Sequence, residues 1–388
     1  MSIEVQPLPE YKFQVSESAD IFETKKKSEA KLAEESTLSS RICRIAWNIF
    51  SVIIFPVGIA RLIIAGVKRL VSAAILPAAF LFKAKDEELQ SRRNSFFKWN
   101  ASCAEQVTIR TADGADLDNY VIKSKSQQDL PPAQQKWVVF FNGNAMCVEN
   151  DFDNLSLISK EAKVNVLSGN YRGVGRSTGR ASSSDDLVLD GEALVQYLLN
   201  QGVEPRNILL HGLSLGGGVA AAVAANHQEE GREINLCSDR SFASITDFLK
   251  AHFPSWLSFV GTLLSRIVAA AKWAFDSLSN YLKIKGGKFI IYAPKDGIVT
   301  KPGSLYKKLK ETAKAEGVAD YKPDNALKLK LDVEKVQSYC EMQIGMVPSE
   351  AEILRNQGQI AHGIPLNFDN LFFAQYVNHV QRVLNIPI

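Results

Sequence analysis

The chain has 388 residues and a net charge of +3 from 45 basic and 42 acidic side chains, which gives no global basis for binding nucleic acid. That length allows one large α/β domain with additional segments. Five cysteines (Cys43, Cys103, Cys147, Cys237 and Cys340) are odd in number and scattered, and no Cys or His pair has ligand spacing. They read as thiols of a reducing compartment rather than as disulfides or zinc ligands, and neither a metal nor a cofactor is expected.

Residues 1–40 are polar, carry the run Lys25-Lys26-Lys27, and predict a mobile or loosely helical tail. No apolar core occurs within the first 30 residues, so this stretch is not expected to be a signal peptide. Composition then shifts, and residues 41–104 form an apolar helical segment. Ile45 to Ala60 is apolar except for Asn48 and Ser51, Arg61 interrupts, Leu62 to Val67 continues, and Leu70 to Phe82 follows after Lys68-Arg69. Arg61 and Pro56-Val57-Gly58 spoil a clean span, and basic residues lie at both ends. A hairpin dipping into one leaflet, or a pair of interfacial helices, fits this pattern and predicts association with a lipid surface. Two apolar helices packed on the following domain are the alternative.

A folded domain is expected over 105–388. Val107 to Arg110 and Leu117 to Ile122 flank Thr111-Ala112-Asp113-Gly114, whose Asp-Gly marks a hairpin. Trp137 to Phe141, Val164 to Leu167, Ile208 to Leu210, Ile234 to Cys237 and Phe289 to Tyr292 are continuous apolar strands, and Ser184 to Asn200 reads as a helix. Strands of this kind alternating with helices predict an α/β fold with a mostly parallel central sheet covered on both faces. Between the last two strands, about 240–284, lies an aromatic-rich insertion. It is either a helical pair packed into the domain or a cap of apolar helices, with Phe242, Trp256 and Phe259 expected to contact substrate. A second insertion, roughly 333–358, is polar and points to no role.

Chemistry concentrates at Gly212-Leu213-Ser214-Leu215-Gly216, between an apolar strand and a Gly/Ala-rich helix. A serine nucleophile needs a tight, strained turn that lifts its hydroxyl clear of the backbone, and glycines two residues away on either side leave room for it. The helix start behind it supplies N–H groups to a developing oxyanion. Asp296 follows strand 289–292, on the sheet edge where Ser214 must also emerge. His362 is the best base of five histidines, because it stands in a Gly/Pro loop before a final helix at about 368–384. His211 on the elbow strand and His379 on an amphipathic helix read as structural, and His227 and His252 lack supporting context. The remaining oxyanion donor is expected from Asn144 or Ala145, after strand 137–141, in addition to the Leu215 N–H. The Gly-rich stretch Asn170 to Ser177 lacks the ending of a phosphate-binding loop and reads as a structural turn.

With Ser214, Asp296 and His362 in that order, the chain resembles the α/β-hydrolase superfamily over roughly 105–386. It is most similar to serine hydrolases with an H-G-N-A oxyanion motif, an N/D-Y-R-G-x-G-x-S turn, a D-x-I/V acid loop and an H-N-x-P-L base loop, a branch that includes depalmitoylases and other esterases. Here those motifs stand as Asn142 to Ala145, Asn170 to Ser177, Asp296 to Val299 and His362 to Leu366, with Asn142 and Gly363 departing from the pattern. The apolar segment and Asp239-Arg240-Ser241-Phe242 also resemble hydrolase-like proteins of intracellular bacteria, which implies a bacterial protein acting in or on a host cell. The resemblance implies hydrolysis of a carboxylic ester or thioester, of lipid or acyl-protein type, at a membrane surface. A peptidase or amidase would use the same triad. A membrane-anchored interaction protein could keep the scaffold, although it would have no need of all three residues.

Overall fold

In a computed structural model, residues 55–82, 85–100, 102–316 and 325–387 are described. The expected tail over 1–40 and the first part of the apolar segment, to residue 54, lie outside them. The framework is an eight-stranded sheet in the order β1-β2-β4-β3-β5-β6-β7-β8. Its strands are β1 Ala104–Arg110, β2 Asp116–Ile122, β3 Trp137–Phe141, β4 Asn165–Gly169, β5 Ile208–Leu213, β6 Asn235–Asp239, β7 Lys288–Tyr292 and β8 Ala326–Lys328. The β1–β2 hairpin and the β2–β4 pair are antiparallel, and every later pair is parallel. This order, with one early crossover and a serine turn after β5, is that of the α/β-hydrolase fold.

The continuous apolar strands follow from burial on both faces. Along β3, Trp137, Val139 and Phe141 enter one core, and Val138 and Phe140 enter the other. In chain order the helices are α1 Phe55–Ile75, α2 Ala78–Leu81, α3 Asp86–Asn100, α4 Phe152–Ala162, α5 Ser184–Asn200, α6 Leu215–Glu229 and α7 Ile245–Ala251. They continue as α8 Ser258–Ala270, α9 Ser277–Lys283, α10 Leu305–Ala315, α11 Val333–Ile344, α12 Glu350–Arg355, α13 Gln357–Gly363 and α14 Asn370–Val383. Side chains of α5, α6, α9 and α10 fill the first core, and those of α3, α4 and α14 fill the second.

Several elements were not anticipated from the sequence. Helices α4 and α10 and the three-residue edge strand β8 were missed; the short edge strand is recruited by pairing to β7 rather than by its own pattern. The polar insertion 333–358 forms α11 and α12, each contributing one deeply buried side chain, Val336 and Ile353. A capping box between Ser349 and Glu352 starts α12. Residues 357–363, taken as loop, form the short helix α13.

The apolar segment divides between the middle of α1 and the residues that follow that helix. Leu62, Ile63 and Ile64 of α1 are exposed, whereas Leu76, Ala78, Phe82 and Leu89 are buried in the same core as the sheet. Trp273, fully buried, donates its indole N–H to Ser72 Oγ at 3.0 Å. On α3, buried Arg93 bonds Tyr120 Oη at 2.9 Å and pairs with Glu149. No described helix is long and apolar enough to cross a membrane.

Replacing Trp273 by Ala leaves a void beneath α1 and an unpartnered Ser72, and should cost about 3–5 kcal/mol of stability. Urea denaturation followed by circular dichroism checks this; a loss below about 1 kcal/mol would mean that the segment is not part of the cooperative core.

Candidate active site

Strand β5 runs straight into α6, and the turn between them is Ser214, with φ 54° and ψ −113°. A non-glycine residue in that region is strained, and the surroundings must hold it there. Two glycines allow it. A Cβ on Gly212 would lie 2.1 Å from the Gly216 carbonyl oxygen, and one on Gly216 would lie 2.2 Å from that of Phe141. The Ser214 N–H donates to the Asp239 carbonyl at 2.9 Å, and Ser241 Oγ donates to the Ser214 carbonyl at 2.8 Å.

Asp296 stands after β7, two strands from β5 in a parallel array, so both emerge on one sheet edge about 10 Å apart. One carboxylate oxygen accepts the N–H groups of Ile298 and Val299, at 2.9 and 2.8 Å. The other is 2.8 Å from His362 Nδ1. In the tautomer whose Nδ1–H donates to that oxygen, Nε2 is the ring nitrogen that can accept a hydrogen bond. Asp296 and His362 are therefore brought together across 66 residues of chain.

Of the expected oxyanion donors, Leu215 opens α6 beside the serine, and Asn144 lines the same cavity as Ser214. The Asn144 carbonyl is occupied by the N–H of Ala78 at 3.2 Å, which ties the loop after β3 to the apolar segment. Ala145 follows in that loop but does not line the cavity. The cavity holds about 400 Å³ and is apolar, walled by Leu70, Val71, Ala74 and Ile75 of α1, by Phe242, and by Phe248, Leu264 and Ile267 of α7 and α8. Of the three aromatics expected to contact substrate, Phe242 lines this cavity. Trp256 and Phe259 do not: both are largely exposed, 74% and 65%, because they sit on the outer side of the 240–284 insertion. That insertion also divides, since Trp273 and Phe275 pack into the core while α7 and α8 wall the cavity.

Two of the remaining histidines also face carboxylates, His227 at 2.9 Å from Glu192 and His211 at 3.4 Å from Asp239, but neither lines the cavity that contains Ser214. His211 is fully buried with Nδ1 2.8 Å from Tyr376 Oη, and His379 bonds a carbonyl of its own helix. In the Gly-rich turn, Arg172 is held by Asp113 and Asp190 at 2.6 and 2.7 Å, a fully engaged structural role. Among the described residues no cluster could hold a metal ion.

Sequence reasoning missed the function of Arg240. It is 3% exposed with φ 44°, and pairs with Asp239 through two bonds of 2.7 and 2.8 Å. Its Nη1 donates to the carbonyls of Ile364 at 2.7 Å and Ala361 at 3.4 Å, the residues that bracket the His362 turn. The available signal was an adjacent Asp-Arg pair closing an apolar strand beside the serine strand. Burial pushes the Asp239 carboxyl up, but Arg240 and His211 outweigh burial and hold it at about 2.

The sequence also matches that of a described family, the Chlamydia CHLPS protein family (DUF818), over residues 1–328. The chain belongs to that family. Ser214 and Asp296 lie within the matched residues and His362 beyond them. The protein is 28% identical over 200 residues to protein bem46 of Schizosaccharomyces pombe, covering 51% of this chain and 62% of that one. It is 26% identical over 158 residues to the α/β-hydrolase domain-containing protein WAV2 of Arabidopsis thaliana, covering 40% and 49%. The chain thus spans less than two thirds of either relative. A crystal structure of an α/β hydrolase from Vibrio vulnificus overlaps 72% of this chain and 86% of its own, with 21% identity and a TM-score of 0.47.

Removing the guanidinium by Arg240→Met strands a buried carboxylate, and should cost about 3–5 kcal/mol near neutral pH. The Asp239 carboxyl has a lowered pKa in the folded state, so it stabilises the fold above the ordinary value of 3.8 and that contribution is lost as pH falls toward 2. In urea titrations at stepped pH, the double variant Asp239→Asn/Arg240→Met should lose less stability than wild type between pH 4 and 2.

Proposed function

We propose that the protein is a serine hydrolase that cleaves carboxylic esters or thioesters with long acyl chains, working at a lipid surface. The observation that carries this reading is a serine in a strained elbow opening into an apolar cavity, on the same sheet edge as a histidine oriented by a buried aspartate. In the first half-reaction Ser214 Oγ attacks the acyl carbonyl carbon, and its proton passes to His362 Nε2. Asp296 holds the imidazole in the required tautomer and supports the imidazolium. The oxyanion is met by the Leu215 N–H and a second N–H from the Asn144–Ala145 loop. Collapse breaks the acyl–oxygen or acyl–sulfur bond, and the leaving alcohol or thiol takes the proton from His362. Water, deprotonated by His362, then attacks the acyl-enzyme and releases the acid and free Ser214.

The choice of acyl substrate is supported by the cavity lining, which offers no charged side chain to a substrate. A lipid surface is supported by exposed apolar residues at its rim. Leu70 and Leu264 line the cavity and stay exposed, and Leu62, Ile63, Ile64, Phe259 and Leu263 extend the same helices outward. Exposed Lys68 and Arg69 on α1 add attraction to anionic lipid.

Purified protein treated with a fluorophosphonate should be labelled in wild type, while Ser214→Ala abolishes labelling and His362→Ala reduces it strongly. Hydrolysis of p-nitrophenyl esters should fall by about 10⁴-fold or more in Ser214→Ala. Each added acyl methylene should raise kcat/KM about fourfold until the cavity is full, since burial contributes about 0.8 kcal/mol per methylene. Labelling that survives Ser214→Ala would overturn the choice of nucleophile. A preference for peptide or amide substrates over every ester would overturn the substrate class.

A further inference from the structure

A second cavity of about 310 Å³ adjoins the site. Adjacent residues are divided between the two: Ser241 and Asp296 line this cavity, Phe242 and Ile298 the one containing Ser214. Its chemistry is the opposite of its neighbour's. Lys301, Lys307, Lys310 and Lys328 line it, together with Arg240, and its one carboxylate is Asp296. That carboxylate is already engaged by His362 and two backbone N–H groups, and Arg240 is neutralised by Asp239. Lys307 pairs with Glu311 at 3.3 Å. Lys301, Lys310 and Lys328 have no carboxylate partner among the described residues.

We propose that this cavity is a binding site for a phosphate-bearing anion. Three lysines without a carboxylate partner around one concavity give it a positive potential, which low-dielectric walls focus on whatever anion enters. The cavity also takes in the first turn of α10, whose N-cap Ser304 lies in its lining, so the positive end of an eleven-residue helix adds to the field. A carboxylate would answer one or two of these groups. A phosphate, with two negative charges and oxygens directed tetrahedrally, can accept from all three lysines, which act as mobile point charges. One wall is aromatic: Tyr292 and Tyr306 stack with centroids 3.7 Å apart and planes 5° from parallel, and Lys310 Nζ is held 5.9 Å from the Tyr306 ring. The stacked pair stands beside Lys310 in the lining and adds aromatic surface for the organic part of the ligand. The volume exceeds that of one phosphate group, so an organic phosphate or diphosphate fits. The site stands on these groups alone, whether or not Ser214 is catalytic.

The test is isothermal titration of the full-length protein with pyrophosphate, comparing wild type with Lys310→Glu/Lys328→Glu and with Lys301→Gln. Wild type should bind at submillimolar concentration. The double variant should bind at least tenfold more weakly and the single variant severalfold more weakly, with all three melting at the same temperature. Absence of saturable binding by wild type in both titration calorimetry and pyrophosphate-dependent thermal stabilisation, or equal binding by wild type and a folded double variant, overturns the proposal. Flotation with phosphatidylcholine vesicles, with and without phosphatidylinositol phosphate, separates the two sources of the anion. Lipid-dependent flotation competed by pyrophosphate identifies a headgroup site, and its absence alongside pyrophosphate binding identifies a site for a free organic phosphate.

Discussion

The buried pair of Asp239 and Arg240 is the constraint on which the arrangement of this site depends. Three separate parts of the edge meet there. The Asp239 carbonyl holds the Ser214 N–H, the Arg240 N–H bonds the Ile291 carbonyl on the acid strand, and the Arg240 guanidinium holds the two carbonyls around His362. Ser241 adds a bond from its hydroxyl to the Ser214 carbonyl, and its own carbonyl accepts the N–H that begins α10. A buried ion pair often contributes little net stability, because desolvation offsets attraction. Here the extra carbonyl partners satisfy the guanidinium, and the return is position: the strained Ser214, the end of β7 and the turn that carries His362 are all tied to residues 239–241.

These ties contrast with the outer parts of the two helical segments over the serine cavity. Helix α1 is anchored at its C-terminal end by buried Leu76 and by the Trp273–Ser72 bond, whereas its middle projects exposed apolar side chains. Helix α8 does the same with Phe259 and Leu263 outside and Ile267 at the cavity wall. The hydrophobic effect therefore acts in two places, sealing α1 to the domain at one end and leaving apolar area uncovered at the other. Of the two alternatives that the sequence left for this segment, packing on the domain holds at the end of α1 and in the residues after it, and the exposed turns before them are where the proposed lipid contact would fall.

The two cavities are also separated by chemistry rather than by distance. Residues 241–242 and 296–298 send alternate side chains to an apolar pocket containing Ser214 and to a lysine-lined one. A molecule with an acyl chain and a charged group would meet these two environments on either side of one short wall. The surface charge responsible is local, since the whole chain carries only +3.

The sequence by itself determined seven of the eight strands and placed Ser214 and Asp296 on one edge of the sheet. Apolar runs buried on both faces identify parallel strands from local pattern alone, and residues just after such strands must share an edge. It also singled out His362, because chain order and loop chemistry sufficed, although the turn proved helical. The Arg240 clamp, the exposure of Trp256 and Phe259, and the joining of α1 to the core were decided only by tertiary structure. Arg240 meets its carbonyls 121 and 124 residues away, and Trp273 meets Ser72 across 201. The aromatic content of the insertion does not say which of its faces will be covered, and the apolar residues of α1 lie on both its covered and its exposed turns. That choice belongs to whichever distant surface packs first and best.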